Sequence, residues 1–155
     1  MFRKLKSLFK KKSTVVELPK TKIEESQLDF PIDRADYFFD HALVFYCEEN
    51  DIPSEKLSKS DMLEISKRAA FHLSVFVAWL AKHDFLNPES DGFNLEDAQK
   101  LKNETITGTD YLFKHLDEKL YSTDISNTLL PFISDFYEDY MDFCYTVLVA
   151  ICKGD

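Results

Sequence analysis

A thirteen-residue segment from Ala69 to Ala81 carries no formal charge and contains the only tryptophan of the chain, Trp79. Apolar residues before it recur at steps of three and four, and the capping-box spacing of Ser58 and Asp61 marks the start of a helix. A helix that is apolar on every side is covered by other elements. We therefore predict a central helix over Asp61 to Phe85 whose later turns are enclosed on all sides.

Apolar residues also recur at steps of three and four near the end of the chain, which predicts a long helix from Pro131 to Cys152. Pro131 suits the first helical position because its missing N–H would be unpaired there in any case. From Cys144 onward nearly every residue is apolar, so we predict that this end lies deep in the domain beside the central helix. The predicted buried face comprises Ile133, Phe136, Tyr137, Tyr140, Met141, Cys144, Val147, Leu148 and Ile151.

Shorter helices are predicted over Asp33 to Glu49, over Asn94 to Asn103, and after the capping box of Thr107 and Asp110, with a connection over residues 122–130. Only three glycines and five prolines are present, which leaves little material for the turns of a many-stranded sheet. The predicted fold is therefore all-α. It is a single helical bundle of five or six helices over residues 31–155, with a long central and a long C-terminal helix, preceded by a basic tail and linker over residues 1–30.

Charge separates the chain into two parts of opposite sign. Residues 1–13 carry six of the 19 basic residues and no acid, whereas the remainder has 13 basic against 28 acidic residues, a formal charge of −15. Apolar residues at helical spacing between basic ones can lie on an anionic membrane surface, and each basic residue there contributes about 1 kcal/mol. The alternatives are a disordered basic tail or one that folds back on the acidic body. The candidate membrane-contact residues are Phe2, Arg3, Lys4, Leu5, Lys6 and Phe9.

The predicted last helix also carries four acids at steps of three and four, with no basic residue before Lys153. Such a stripe is commonly a solvated face of an acidic protein. It could instead be a docking face for a basic protein partner, because surface charge speeds association and selects partners. A divalent metal site has little support, since no second helix shows a clear metal-ligand pattern. The candidate partner-binding residues are Asp135, Glu138, Asp139 and Asp142.

Histidines next to carboxylates offer few catalytic arrangements. Asp33, Asp36, Asp40 and His41 are interpreted as a helix cap and a solvated face, and His72 as a buried histidine whose ring finds a hydrogen-bond partner. No Ser-His-Asp order, nucleophile elbow or zinc motif is present, and three glycines leave no phosphate cradle. We predict no cofactor, metal or small-molecule ligand, and a body of charge −15 disfavours nucleic-acid binding.

The cellular location follows from the cysteines and from the lengths of the apolar segments. Cys47, Cys144 and Cys152 are odd in number and lie in apolar surroundings, which indicates reduced thiols rather than a disulfide framework. The basic start is not followed by the apolar run of a signal peptide, and the central apolar segment is shorter than the roughly 20 residues that span a bilayer. The predicted location is cytoplasmic, with the tail able to hold the protein at the inner face of the membrane.

A set of short motifs begins with Ala69, Ala70 and His72 and ends with Phe136, Tyr137, Asp139 and Tyr140. With this set the chain resembles a family of small, mostly uncharacterised, bacterial all-helical domains. The resemblance implies a type of protein that is encoded beside bacterial toxins and in some cases acts as an immunity protein. It implies no active residue, and it does not extend over the basic tail. The residues that carry it are Ala69, Ala70 and His72, then Phe76, Ala78, Trp79 and Leu80, then Ile106, Thr107, Gly108, Asp110, Tyr111 and Leu112, then Asp117, Lys119 and Leu120, and finally Phe136, Tyr137, Asp139 and Tyr140.

Together these observations favour a non-enzymatic binding protein, most concretely an immunity protein that neutralises a cognate toxin through its acidic surface. Two alternatives from other classes stay open. One is an adaptor or structural subunit of a bacterial assembly, tethered to the membrane by the tail. The other is an enzyme or metal protein that uses carboxylates with His41 or His72 in the bundle interior.

Overall fold

The computed structural model describes residues 29–153, with side chains described as far as Val147. The described chain is a helical bundle with a short two-stranded antiparallel sheet, which confirms the predicted all-α class. In chain order the elements are β1 (Pro31–Arg34), a 3-10 turn (Ala35–Phe38), α1 (Phe39–Asn50), a 3-10 turn (Ser54–Lys56), α2 (Lys59–Ala69), α3 (Phe71–Lys82), α4 (Leu95–Lys102), α5 (Gly108–His115), β2 (Lys119–Tyr121), a 3-10 turn (Ser122–Asp124) and α6 (Leu130–Lys153).

The first predicted helix begins later than its sequence pattern indicates. Asp33 does not cap a helix: it lies in β1, where it is paired with Leu120 of β2, and its side chain is buried. The backbone N–H of Ala35 continues the connection by donating to the Glu118 carbonyl at 3.0 Å. Pairing with a strand some 85 residues later holds this segment extended, so the α-helix starts only at Phe39.

The predicted central helix is divided at Ala70, where the backbone (φ −82°, ψ −1°) departs from helical values and α2 gives way to α3. The two halves pack differently, since α2 lies against α1 whereas α3 lies against α5 and α4. The other helices also do not enclose α3 on all sides, contrary to the prediction for these turns. Leu73 and Val77 are fully buried, but Phe71 and Val75 are about half exposed, so one side of α3 is open.

The capping residues predicted from local spacing are in place. The Ser58 and Asp61 side chains exchange hydrogen bonds with each other's backbone N–H at the start of α2, and Thr107 and Asp110 do the same for α5. Gly108, the first residue of α5, packs directly on α3: a Cβ added there would lie 1.9 Å from the Ser74 carbonyl oxygen. The start of α5 is therefore held against the backbone of α3 at a distance that only glycine permits.

The last helix, α6, matches the predicted bounds closely but not the predicted burial. Ile133 is buried and Tyr140 is half-buried, whereas Phe143 is 66% exposed and Tyr145 is 52% exposed. The enclosed ending predicted from Cys144 onward is thus absent over the side chains that the structure describes. No helix in the described range is long and apolar enough to cross a membrane.

Candidate functional site

The predicted partner-binding residues lie together on the outer surface of α6. Their side chains are all exposed, and none forms an ion pair or a side-chain hydrogen bond with another residue in the described part of the chain. Some carboxylates elsewhere in the fold are bonded, as Asp97 is to Lys114 and Asp61 is to Tyr46. Others, such as Asp40 on α1, are likewise exposed without a side-chain partner among the described residues, so what sets these four apart is that they share one helix face. We call the set the acidic face. Its members are Asp135, Glu138, Asp139 and Asp142.

The acidic face borders exposed aromatic side chains on the same helix. Phe132 and Phe136 are 48% and 50% exposed, and their rings stack with centroids 4.8 Å apart. Asp135 and Asp139 each follow one of these rings by three positions, which makes them surface neighbours on a helix. Phe136 was predicted to be buried, and Phe132 was not singled out by the sequence. Their shared border with the acids is the signal that could have identified them.

An apolar groove runs between α3 and α6 on the inner side of these rings. Its cavity volume is about 330 Å³. The hydroxyls of Tyr137 and Tyr140 donate to Asp33 and to the His72 carbonyl, so the polar tips of both tyrosines are already bonded. Such a lining suits apolar side chains better than a polar ligand. The residues that line this α3–α6 groove are Val75, Phe76, Trp79, Phe132, Ile133, Phe136, Tyr137 and Tyr140.

A buried polar cluster behind the groove holds α6 in place. Asp33 Oδ2 accepts from His72 Nε2 at 2.9 Å and from the Tyr137 hydroxyl at 2.6 Å, and Oδ1 accepts from the Arg34 backbone N–H at 2.7 Å. Burial by itself would raise the pKa of Asp33, but the bonds from His72 and Tyr137 outweigh it and lower that pKa. Burial, with Asp33 as neighbour, raises the pKa of Tyr137. The cluster joins β1, α3 and α6.

A second buried carboxylate joins α4 to α5. Asp97 accepts from Lys114, His115 and Lys100, and these three bonds, the first of them the strongest, hold its pKa well below the ordinary range. The backbone N–H of Asp97 in turn receives the Asn94 cap at 3.0 Å. His115 is half-buried and bonded to this carboxylate. These bonds hold α4 and α5 together, two helices of eight residues each.

The remaining predicted residues do not form one site. Asp33 is buried and Asp36 pairs with Arg34, while Asp40 and His41 are exposed on α1. Among the described residues no three His, Cys, Asp or Glu side chains converge in a way that could hold a metal ion. The predicted membrane-contact residues lie outside the described range, as does the rest of residues 1–28; these contact residues are Phe2, Arg3, Lys4, Leu5, Lys6 and Phe9.

Comparison with known families identifies the domain. A family model described as a domain of unknown function, DUF7832, matches residues 32–150. The chain belongs to this family. The match takes in Asp33, the residues of the α3–α6 groove and the acidic face, so the candidate site lies within the DUF7832 domain. No curated protein and no solved structure matches the chain significantly. The predicted resemblance to an uncharacterised domain family is confirmed at that level.

Proposed function

We propose that this DUF7832 protein is a non-enzymatic binding protein that captures a basic protein partner on the acidic face of α6. The observation that carries the proposal is that four carboxylates on one face of α6 are exposed and have no cationic partner in the described part of the chain. Like charges at this helical spacing repel each other by about 0.2–0.5 kcal/mol per pair, and basic side chains of a partner would relieve that repulsion.

The finer proposal is an immunity protein of bacterial origin that neutralises a cognate toxin. A basic, nuclease-like toxin attracts the phosphates of its substrate, and an acidic protein bound at the same surface excludes them. The charge of −15 outside residues 1–13 extends this attraction over the whole body. Attraction of this kind raises the association rate by about 10- to 1,000-fold and weakens as salt increases.

The titratable groups inside the fold support the non-enzymatic part of the proposal. Asp33 is 5% exposed and His72 is 2% exposed, and both are bonded within the core. General acid–base catalysis requires a group within hydrogen-bond reach of a bound substrate. The groove beside this pair presents tyrosine rings, while the hydroxyls of Tyr137 and Tyr140 donate to the core. The polar cluster therefore acts as a support for α6.

The test is capture of the protein encoded by the adjacent gene, co-expressed with this chain. The variant Asp139→Lys/Asp142→Lys reverses two charges of the acidic face. The matched control, Glu89→Lys/Asp91→Lys, makes the same charge change at exposed acids of the loop between α3 and α4. We expect the native chain and the control to capture the partner and to restore growth of cells that produce it. The Asp139/Asp142 variant should associate at least about 10-fold more slowly and fail to restore growth.

Far-UV circular dichroism on all three proteins ensures that a loss of capture is not a loss of folding. Equal capture by the two double variants would refute the assignment of the acidic face, because total charge and not position would then decide binding. If the chain captures the protein encoded by the adjacent gene but does not restore growth, the immunity role would be refuted and a binding function would remain.

A further inference from the structure

The α3–α6 groove and the acidic face together form a composite surface that lacks an occupant within the described residues. Val75 is 45% exposed on the α3 side, and Phe132 and Phe136 are about half exposed on the α6 side. Contiguous apolar surface of this kind, bordered by charged residues, is typical of an interaction site. The occupant that it suits has apolar side chains along one stripe and positive charge beside them.

We propose that residues 1–13 of the same chain occupy this groove. Phe2, Leu5 and Phe9 recur at steps of three and four, the spacing with which an amphipathic helix places its anchors in an apolar groove. Arg3 and five lysines surround these anchors, and no acid is present in the segment. Aromatic and leucine side chains meet the rings that line the groove, and the basic side chains meet the carboxylates beside it.

The position of the carboxylates favours this arrangement. Asp135 and Asp139 border Phe132 and Phe136, so cations that flank an anchor in the groove reach them directly. Glu138 and Asp142 lie further round α6. The segment therefore covers only part of the acidic face and competes with a basic partner for Asp135 and Asp139.

Residues 14–28 are long enough to let residues 1–13 reach the groove, and the described chain begins close to the groove. The described chain starts at Asp29, four residues before Asp33, and Asp33 is bonded to Tyr137 in the wall of the groove. Four residues span at most about 14 Å. Residues 14–28, which join the two parts, number 15 and span at most about 50 Å when extended. Residues 1–13 are thus tethered within reach of the groove on their own molecule.

A second copy of the chain suits this surface less well. Two copies docked groove to groove would bring both acidic faces together, and eight carboxylates would repel each other across the contact. An anionic membrane is the competing partner for residues 1–13, since the same apolar and basic residues can lie on a lipid surface. Both alternatives are outcomes of the following experiment.

The experiment uses the full chain with Phe9 replaced by the photoreactive residue p-benzoylphenylalanine. Irradiation and peptide mass spectrometry should find residue 9 joined to α3 between Val75 and Trp79, or to α6 between Phe132 and Tyr140. In the same chain, Phe136→Ser should reduce the yield of these products at least about fivefold. Phe45→Ser, which changes a ring of similar exposure on α1 outside the groove, should leave it unchanged. Val75→Ser tests the opposite wall independently.

The proposal is overturned by products that lie mainly outside the groove, or by equal yields in the Phe136, Val75 and Phe45 variants. Mixing light and isotopically heavy chains separates the remaining cases, because products that join light to heavy chains would show docking between copies. Vesicles of phosphatidylcholine with phosphatidylserine are added in a parallel reaction. Persistence of the groove products supports the proposal, whereas their replacement by lipid adducts would assign residues 1–13 to the membrane.

No partner protein is present in this experiment, so its failure would leave the proposed capture of a basic partner untouched. Conversely, if the chain binds no partner but yields the groove products, the result would support docking of residues 1–13 and would refute the proposed capture of a basic partner. Circular dichroism of each variant confirms that a lower yield reflects the groove and not unfolding.

Discussion

Removal of one hydroxyl tests whether the buried cluster at Asp33 holds α6 against the bundle. Tyr137→Phe removes the donor that lies 2.6 Å from Asp33 Oδ2 and preserves the ring that packs against Phe76. A hydrogen bond to a charged group contributes about 1.5–3 kcal/mol, and its loss inside a protein leaves the acceptor poorly solvated. We expect the free energy of unfolding at pH 7 to fall by about 2 kcal/mol, measured by urea denaturation followed by circular dichroism.

Tyr140→Phe is the matched control. Its hydroxyl donates to the neutral carbonyl of His72 at a distance of 2.6 Å, so its removal should cost about 1 kcal/mol. The two variants also differ in their dependence on pH. The pKa of Asp33 is lowered in the folded state, so its carboxylate stabilises the fold above the unfolded pKa, and this stability is lost as the pH falls through the folded pKa.

The effect of Tyr137→Phe should therefore shrink as the pH is lowered from 7 to below the ordinary carboxyl range, whereas that of Tyr140→Phe should stay nearly constant. Denaturation curves of both variants and the native chain at pH 7, 5 and 3 give this comparison. Equal losses of unfolding free energy in the two variants would contradict this reasoning, as would a Tyr137→Phe loss that is unchanged at pH 3. Either result would show that the Tyr137 hydroxyl does not stabilise the ionised form of Asp33.

Three further outcomes are expected. Gly108→Ala should destabilise the fold by about 3 kcal/mol, because the added Cβ would lie 1.9 Å from the Ser74 carbonyl; a change below 1 kcal/mol in urea denaturation would mean that α5 can move away freely. Asp97→Asn should lower the Tm at pH 7, because a carboxylate whose pKa is lowered in the folded state stabilises the fold above its unfolded pKa. The difference should diminish as the pH falls from the unfolded pKa toward the lower folded pKa; thermal melts at pH 7 and 2 check this direction. Association with the basic partner should slow steeply between 0.05 and about 0.5 M salt in stopped-flow measurements, and a rate independent of salt would contradict electrostatic capture.

Features that depend on a few neighbouring residues could be predicted from the sequence. The capping boxes at Ser58 and Thr107 need only a side chain and a backbone N–H three residues apart, so their spacing is sufficient evidence. The bounds of α6 follow in the same way from a sustained helical period. These elements are local, and no distant contact overrides them.

Features that depend on distant partners could not be predicted. The spacing of Asp33 is that of a helix cap, yet its environment is decided by His72 and Tyr137, which lie 39 and 104 residues away in the sequence. The division at Ala70 has no local signal, because alanine is the best helix former. Apolar character likewise does not reveal which apolar side is covered, and the open side of α3 is visible only once the other helices are in place.

The location of Trp79 gives this protein an optical probe of its own. It is the single tryptophan of the sequence and lines the α3–α6 groove, with its ring near those of His83 and Phe85. An apolar segment that enters the groove removes water from the indole, and tryptophan emission shifts to shorter wavelength when its surroundings become less polar. Occupancy of the groove can therefore be followed in real time in the unlabelled protein, through the emission maximum and the intensity of Trp79 fluorescence.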